Sequence, residues 1–145
     1  MPPVSVVLAA RPGSYIAGLV GFREGAVDAW PYAFAGATRT AAEVATDLAN
    51  RVEELRSGWI ERAGRPRRDS AAAKVIDLIP ALPILSAPTA RAAIGVSQQV
   101  TLLGLKRLEE AGILRQISPG TYDRQFAATE LFELVAEYEA RIAGR

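Results

Sequence analysis

The chain has 145 residues, 50% of them apolar and 23% charged, a composition that supports a packed core and argues against disorder. It contains no cysteine and no histidine, which removes disulfides, thiolate chemistry, the commonest general base and the usual zinc and haem ligands. With 17 basic and 16 acidic side chains the net charge is +1, so any footprint for an anionic partner must be local.

At the N-terminus, Val4–Ala10 is apolar, but it is short and lacks the basic flank of a leader peptide. The uncharged stretch Ala29–Thr38 is about half the length of a membrane-spanning helix, so no membrane partner is expected, and the lack of disulfides makes the cytoplasm the expected compartment. Tyr15–Phe22 suits two helical turns, weakened by Gly18 and Gly21. From there the apolar positions run Trp30, Phe34, Ala37, Ala41, Val44, Leu48, Val52, Leu55 and Trp59. Steps of three and four place them on one helical stripe. This predicts a helix from an Asp28 cap to Ala63, with Pro31 tolerated in the first turn, about 50 Å long at 1.5 Å per residue. A rod of that length needs a partner surface.

Gly64–Ser70 (GRPRRDS) stops the helix and is read as a linker between a helical segment of residues 1–63 and a domain of residues 71–145. Its arginines make it the expected site of trypsin cleavage, releasing the C-terminal piece. The GRP-R-R string resembles minor-groove AT-hook peptides, but it is short and common, and a solvated linker outweighs that reading. Short elements follow. Ala71–Leu78 is a helix ended by Pro80 and Pro83. A second, capped by Ser86, closes at Gly95, and a third, capped by Ser97, runs from Gln98 to Ala111 before Gly112. Ile113–Ile117 and Arg124–Ala127 read as two strands around a Ser118-Pro119-Gly120 turn, and Thr129 caps a last helix with Leu131, Leu134, Val135, Tyr138 and Ile142 on its apolar face.

The segments LSAPTARAAIGVS (85–97) and LKRLEEAGIL (105–114) resemble a winged helix-turn-helix. Ala92 and Ala93 are small where two helices would cross, Gly95 allows the tight turn, and Leu105 and Leu108 face the core. The expected fold is all-α with a small β-wing, one long helix preceding the winged helix-turn-helix domain. Over essentially its whole length the chain resembles the C-terminal region of Fic-family adenylyltransferases. The resemblance rests on PPVSVVLAARPGSYIAGLVGF (2–22), the Asp28-Ala29-Trp30 helix start and GRPRRDSAAAKVIDLIPALPILSAPTA (64–90). The family's hallmark is a His-Pro-Phe-x-x-Gly-Asn-(Gly/Lys)-Arg loop. This sequence has no histidine, and Gly13, Gly18, Gly21 and Gly25 are not followed by the Asn and Arg of that loop, so no catalytic residue carries over. The resemblance implies a non-catalytic, regulatory C-terminal part of a longer Fic-like protein; without cysteine or histidine, no cofactor and no metal are expected. A full-length parent could be a protein adenylyltransferase.

No catalytic constellation competes with this. The pairs Glu53/Glu54, Glu109/Glu110 and Glu137/Glu139 read as solvated helix surface, and Ser14, Ser70 and Ser97 have no histidine to activate them. Double-stranded DNA is the leading expected partner. Ser97, Gln98, Gln99 and Thr101 would reach base edges, while Lys106, Arg107, Arg115 and Arg124, with Arg91, would hold phosphates. Between Ser86 and Ala128 there are 5 basic and 3 acidic side chains, a weak surplus for such a module. The alternative is a docking surface on the same helix, with Leu102 and Leu103 beside Gly104 as anchors for a second copy (a homodimer) or for the Fic core. A larger domain core that absorbs both leucines is the third reading.

Overall fold

The computed structural model describes residues 4–10, 12–26, 29–120 and 124–142. Those residues are mostly helical, with one small three-stranded antiparallel sheet. They fall into two compact units, Met1–Arg51 with Leu134–Arg145, and Val52–Glu133.

The first unit contains α1 (Val4–Ala10), α2 (Pro12–Arg23), the first part of α3 (Ala29–Arg62) and the end of α7 (Thr129–Ile142). α3 is the long helix that the three-four spacing predicts, whereas Asp28, its expected cap, lies outside the described residues. α2 starts earlier than Tyr15 because Pro12 sits at its first position, where a missing N–H costs nothing. Gly18 of α2 meets Trp30 of α3 so closely that an added Cβ would stand 2.8 Å from the indole Cε3. Trp30 also meets Tyr15 edge-on, with ring centroids 5.2 Å apart. Among the described residues of this unit only Ala41, Leu134 and Tyr138 are buried. Phe34, expected on the covered stripe, and Val135, expected on the apolar face of α7, are both exposed.

The second unit holds the end of α3, then α4 (Ala71–Leu78), β1 (Ile84–Ser86), α5 (Ala87–Ile94), α6 (Gln98–Glu110), β2 (Arg115–Gln116), β3 (Gln125–Ala127) and the first turn of α7. Its helix starts follow from local chemistry. Ser70, Ser86 and Ser97 each accept an amide from three residues ahead. Gly95 ends α5 in the left-handed region (φ 68°, ψ 34°), which a side chain would strain. Thr129, expected as a cap, is instead the first residue of α7. The core gathers Trp59 from α3, Val75 and Ile76 from α4, Leu105 and Leu108 from α6, Phe126 from β3 and Leu131 from α7. Each large apolar side chain buried this way contributes about 1.5–3 kcal/mol.

Three features differ from expectation. β1 was not anticipated; it pairs antiparallel with β3 (Leu85 opposite Phe126), and β3 also pairs with β2 (Gln116 opposite Phe126), giving the order β1-β3-β2. Ile113 and Leu114, read as strand, are buried just before β2, with Ile113 N and Leu114 N both donating to Leu108 O. Ala92 and Ala93 are exposed, and the small residue at a helix crossing is Gly104. An added Cβ there would lie 2.8 Å from Ala71 Cβ and 3.0 Å from Ala72 N, so α6 can approach the start of α4 only through glycine. The Gly64–Ser70 stretch lies within this unit, and Trp59 and Ala63 before it share one core with Ala72, Val75 and Ile76 after it.

Candidate nucleic-acid interface

α6 divides into two faces because its partners lie on one side. Thr101, Gly104, Leu105 and Leu108, spaced by three, one and three residues, are buried. Gln99, Leu102, Leu103 and Lys106 form the opposite, exposed stripe, and Gln98 and Val100 are also exposed at the first turn. Gln98, Gln99 and Lys106 thus stand at the surface, but the middle of their stripe is apolar: Leu103 is 62% exposed and Leu102 40%.

Other candidate residues are placed differently. Thr101 is fully buried and its hydroxyl donates to Ser97 O at 3.0 Å, so it cannot meet a base edge in this structure. Ser97 is exposed and its Oγ accepts from Val100 N, the capping role that starts α6. The Arg107 guanidinium donates to Ala63 O at 2.7 Å and Gly64 O at 3.1 Å, satisfying carbonyls where α3 ends. It ties α6 to α3 instead of standing free for a phosphate. Gly104, read as part of a docking patch, is interior and faces Ala71.

The remaining cations lie around the sheet and helix ends. Arg115 on β2 and Arg91 on α5 are exposed and make no ion pair among the described residues. Arg124 stands 3.7 Å from Glu109 and lies over the Phe126 ring at 5.2 Å, and Lys106 stands 3.7 Å from Glu110. Both pairs are loose and solvent-facing, which makes them exchangeable for phosphate. The described residues of the β2–β3 connection are tied to the strand ends by side-chain hydrogen bonds. The Gln116 amide donates to Ser118 O and Gly120 O, both at 2.8 Å, and Ser118 Oγ accepts from Gln125 N at 3.0 Å.

The perturbed carboxylate of this unit serves structure. Burial works to raise the Glu130 carboxyl, but hydrogen bonds from Arg62 and Trp59, with the Arg62 charge, outweigh it and hold the group below the usual carboxylate range. Among the described residues no group of three or more His, Cys, Asp or Glu could hold a metal ion, and no helix is long and apolar enough to cross a membrane.

Two groups escaped the sequence reading. Gln116 carries no signal beyond its place before a turn. Thr40 and Arg141, which line an open groove in the first unit with Ser14, a residue weighed only as a nucleophile, are far apart in sequence and share no motif. No protein-family model matches the chain, and no curated protein matches it.

Proposed function

We propose that the second unit is a winged helix-turn-helix module that binds double-stranded DNA through α6 and the cations beside it. The observation that carries the reading is the element order. α4, β1, α5, α6 and the β2–β3 hairpin follow one another, with the Gly95-Val96-Ser97 turn joining two short helices and leaving Gln98 and Gln99 of the first turn of α6 exposed. Gln98 and Gln99 have amides suited to an adenine edge, and Arg91, Lys106, Arg115 and Arg124 supply phosphate contacts. The same proposal takes the chain as the non-catalytic, regulatory C-terminal part of a Fic-like protein, supported by the sequence segments that resemble that family and by the lack of histidine. The test is anisotropy of a labelled 30-base-pair duplex titrated with the protein at rising salt. Four phosphate contacts give a slope of log affinity against log salt of about −3 to −4. Absent or salt-insensitive binding overturns the reading.

A second reading has its own observation. Val100, Leu102 and Leu103 expose contiguous apolar surface where a DNA reader ordinarily presents polar groups, which favours docking of protein on α6. A second copy of the chain or a Fic core would be the partner. Here Leu103→Glu would abolish association while the salt dependence stays shallow.

A further inference from the structure

The Gly64–Ser70 stretch sets three arginines against the single Asp69, and the contacts assigned to DNA above leave them unused. Arg65 is committed, because its Nε donates to both carboxylate oxygens of Glu61, at 3.0 and 2.8 Å. Arg67 and Arg68 are exposed, and their side chains make no ion pair or hydrogen bond among the described residues.

In a free linker those two charges would point anywhere. Here both ends of the stretch are fixed on α6. Arg107 donates to Ala63 O at 2.7 Å and to Gly64 O at 3.1 Å. At the other end Gly104 lies so close to Ala71 that an added Cβ would stand 2.8 Å from the alanine Cβ. Gly104 and Arg107 are neighbours one turn apart, so the stretch leaves and rejoins the same edge of the helix. Its path is held internally as well. Gly64 (φ 73°) and Arg65 (φ 47°) follow one another in the left-handed region, and Arg65 is the one non-glycine residue with a positive φ among the described residues. Such a backbone persists only where surrounding contacts hold it. Ser70 N donates to Arg67 O at 2.9 Å and closes a turn. Arg67 and Arg68 are each three positions from an anchored end, at most about 11 Å of extended chain. Leu103, four positions before Arg107, belongs to the exposed stripe of Gln99, Leu102 and Lys106. The edge that carries the loop therefore borders the face assigned to DNA.

We infer that Gly64–Ser70 is a second contact with the same duplex, in which Arg67 and Arg68 hold backbone phosphates beside the site that α6 meets. The inference rests on the DNA reading of α6. A guanidinium fork matches two phosphate oxygens. Arg67 and Arg68 also give up no ion pair to reach them, whereas Lys106 and Arg124 exchange Glu110 and Glu109. Phosphate contacts carry no sequence information, so the loop adds affinity whatever bases flank the site.

The test is the salt slope of duplex binding by the full chain and by the double variant Arg67→Ala/Arg68→Ala. The four contacts named above give about −3 to −4, and two further phosphates steepen the slope of the full chain to about −5. The double variant should lose about two units of slope and keep its melting temperature, and Arg67→Lys/Arg68→Lys should restore the slope, because the count follows charge. Arg23→Ala/Arg39→Ala removes the same charge from the first unit and should leave the slope unchanged. Saturating duplex should also slow trypsin cleavage after Arg67 and Arg68. Duplex binding with an unchanged slope in the double variant, or cleavage that DNA does not slow, overturns this inference and leaves the α6 reading standing. An equal loss in Arg23→Ala/Arg39→Ala overturns it as an effect of net charge alone, and a loss confined to A·T-rich flanks overturns the phosphate assignment in favour of minor-groove reading. No duplex binding at all overturns both.

Discussion

The indole Nε1 of Trp59 donates a 2.7 Å hydrogen bond to Glu130 Oε2, joining two residues 71 positions apart. Trp59 is fully buried, so its N–H has no recourse to water, and Glu130 is held in turn by both terminal nitrogens of Arg62 at 2.7 Å. The start of α7 is thereby fastened to the end of α3 through one carboxylate. Removing that carboxylate leaves a buried donor unmet, at a cost of about 1–3 kcal/mol. Glu130→Ala should lower the denaturant midpoint accordingly, with the Trp59 environment reported by tryptophan emission. Glu130→Gln should cost less, because its amide oxygen can still accept from the indole.

The same carboxylate makes stability depend on pH in one direction. Glu130 is held below the usual range despite its partial burial, and Asp47 is lowered by hydrogen bonds from Tyr138 and then Arg141. Both groups bind their proton less readily folded than unfolded, so their contribution is present above the unfolded carboxylate range and is lost as pH falls through the lower folded values. Melting temperature should therefore fall between about pH 5 and pH 3, and it should fall less steeply in Glu130→Gln.

Two glycines should respond to alanine with opposite signs. At Gly104 the new methyl would press on Ala71 and on the backbone of Ala72, which cannot step aside as a flexible side chain could. The strain of about 1–3 kcal/mol outweighs the helix-propensity gain of about 1 kcal/mol, so Gly104→Ala destabilises. At Gly36 nothing lies within 4 Å, and Gly36→Ala should stabilise by up to about 1 kcal/mol. Paired thermal melts of the two variants decide this.

Arg115 and Arg107 separate a surface role from a structural one. Arg115 is exposed and has no ion pair among the described residues, so Arg115→Ala should reduce the salt slope of duplex binding by about one unit and leave the melting temperature alone. Arg107 holds the Ala63 and Gly64 carbonyls, so Arg107→Ala should lower stability and leave the slope unchanged. Leu103→Glu, at a side chain 62% exposed, should leave the domain folded. Its effect on association then reads out the protein-docking alternative.

Trypsin should cut first after Arg67 or Arg68, which are exposed and bear no ion pair among the described residues. The pieces should stay together on a native gel and part only on a denaturing one. Trp59 and Ala63 lie before the cut and share a core with Ala72, Val75 and Ile76 after it, so cleavage removes a peptide bond and leaves that packing intact. Free release of a folded C-terminal piece, as a simple linker would allow, would show that this packing is too weak to hold.

Helix starts and stops were legible because their causes are local. A serine hydroxyl three residues from an amide, or a glycine past the last periodic position, acts within a single turn, and Ser86, Ser97 and Gly95 behave as their positions dictate. The long α3 was equally legible, since its stripe repeats over nine positions from Trp30 to Trp59. β1 was not, because three residues that follow Pro83 and end on the helix cap Ser86 have no period, and only pairing with Gln125–Ala127 more than 35 residues away makes them a strand. The rotation of α6 about its axis was also beyond the sequence. Thr101, Leu102, Leu103 and Gly104 offer two apolar choices for a core face, and the approach of α4 over Gly104 turns Thr101 inward and Leu103 out. Arg107 likewise reads as one more surface cation until the end of α3 arrives with two unpaired carbonyls. Local hydrogen bonding and periodicity therefore determine where the helices are, whereas which side of each faces inward is decided by the partner that packs against it.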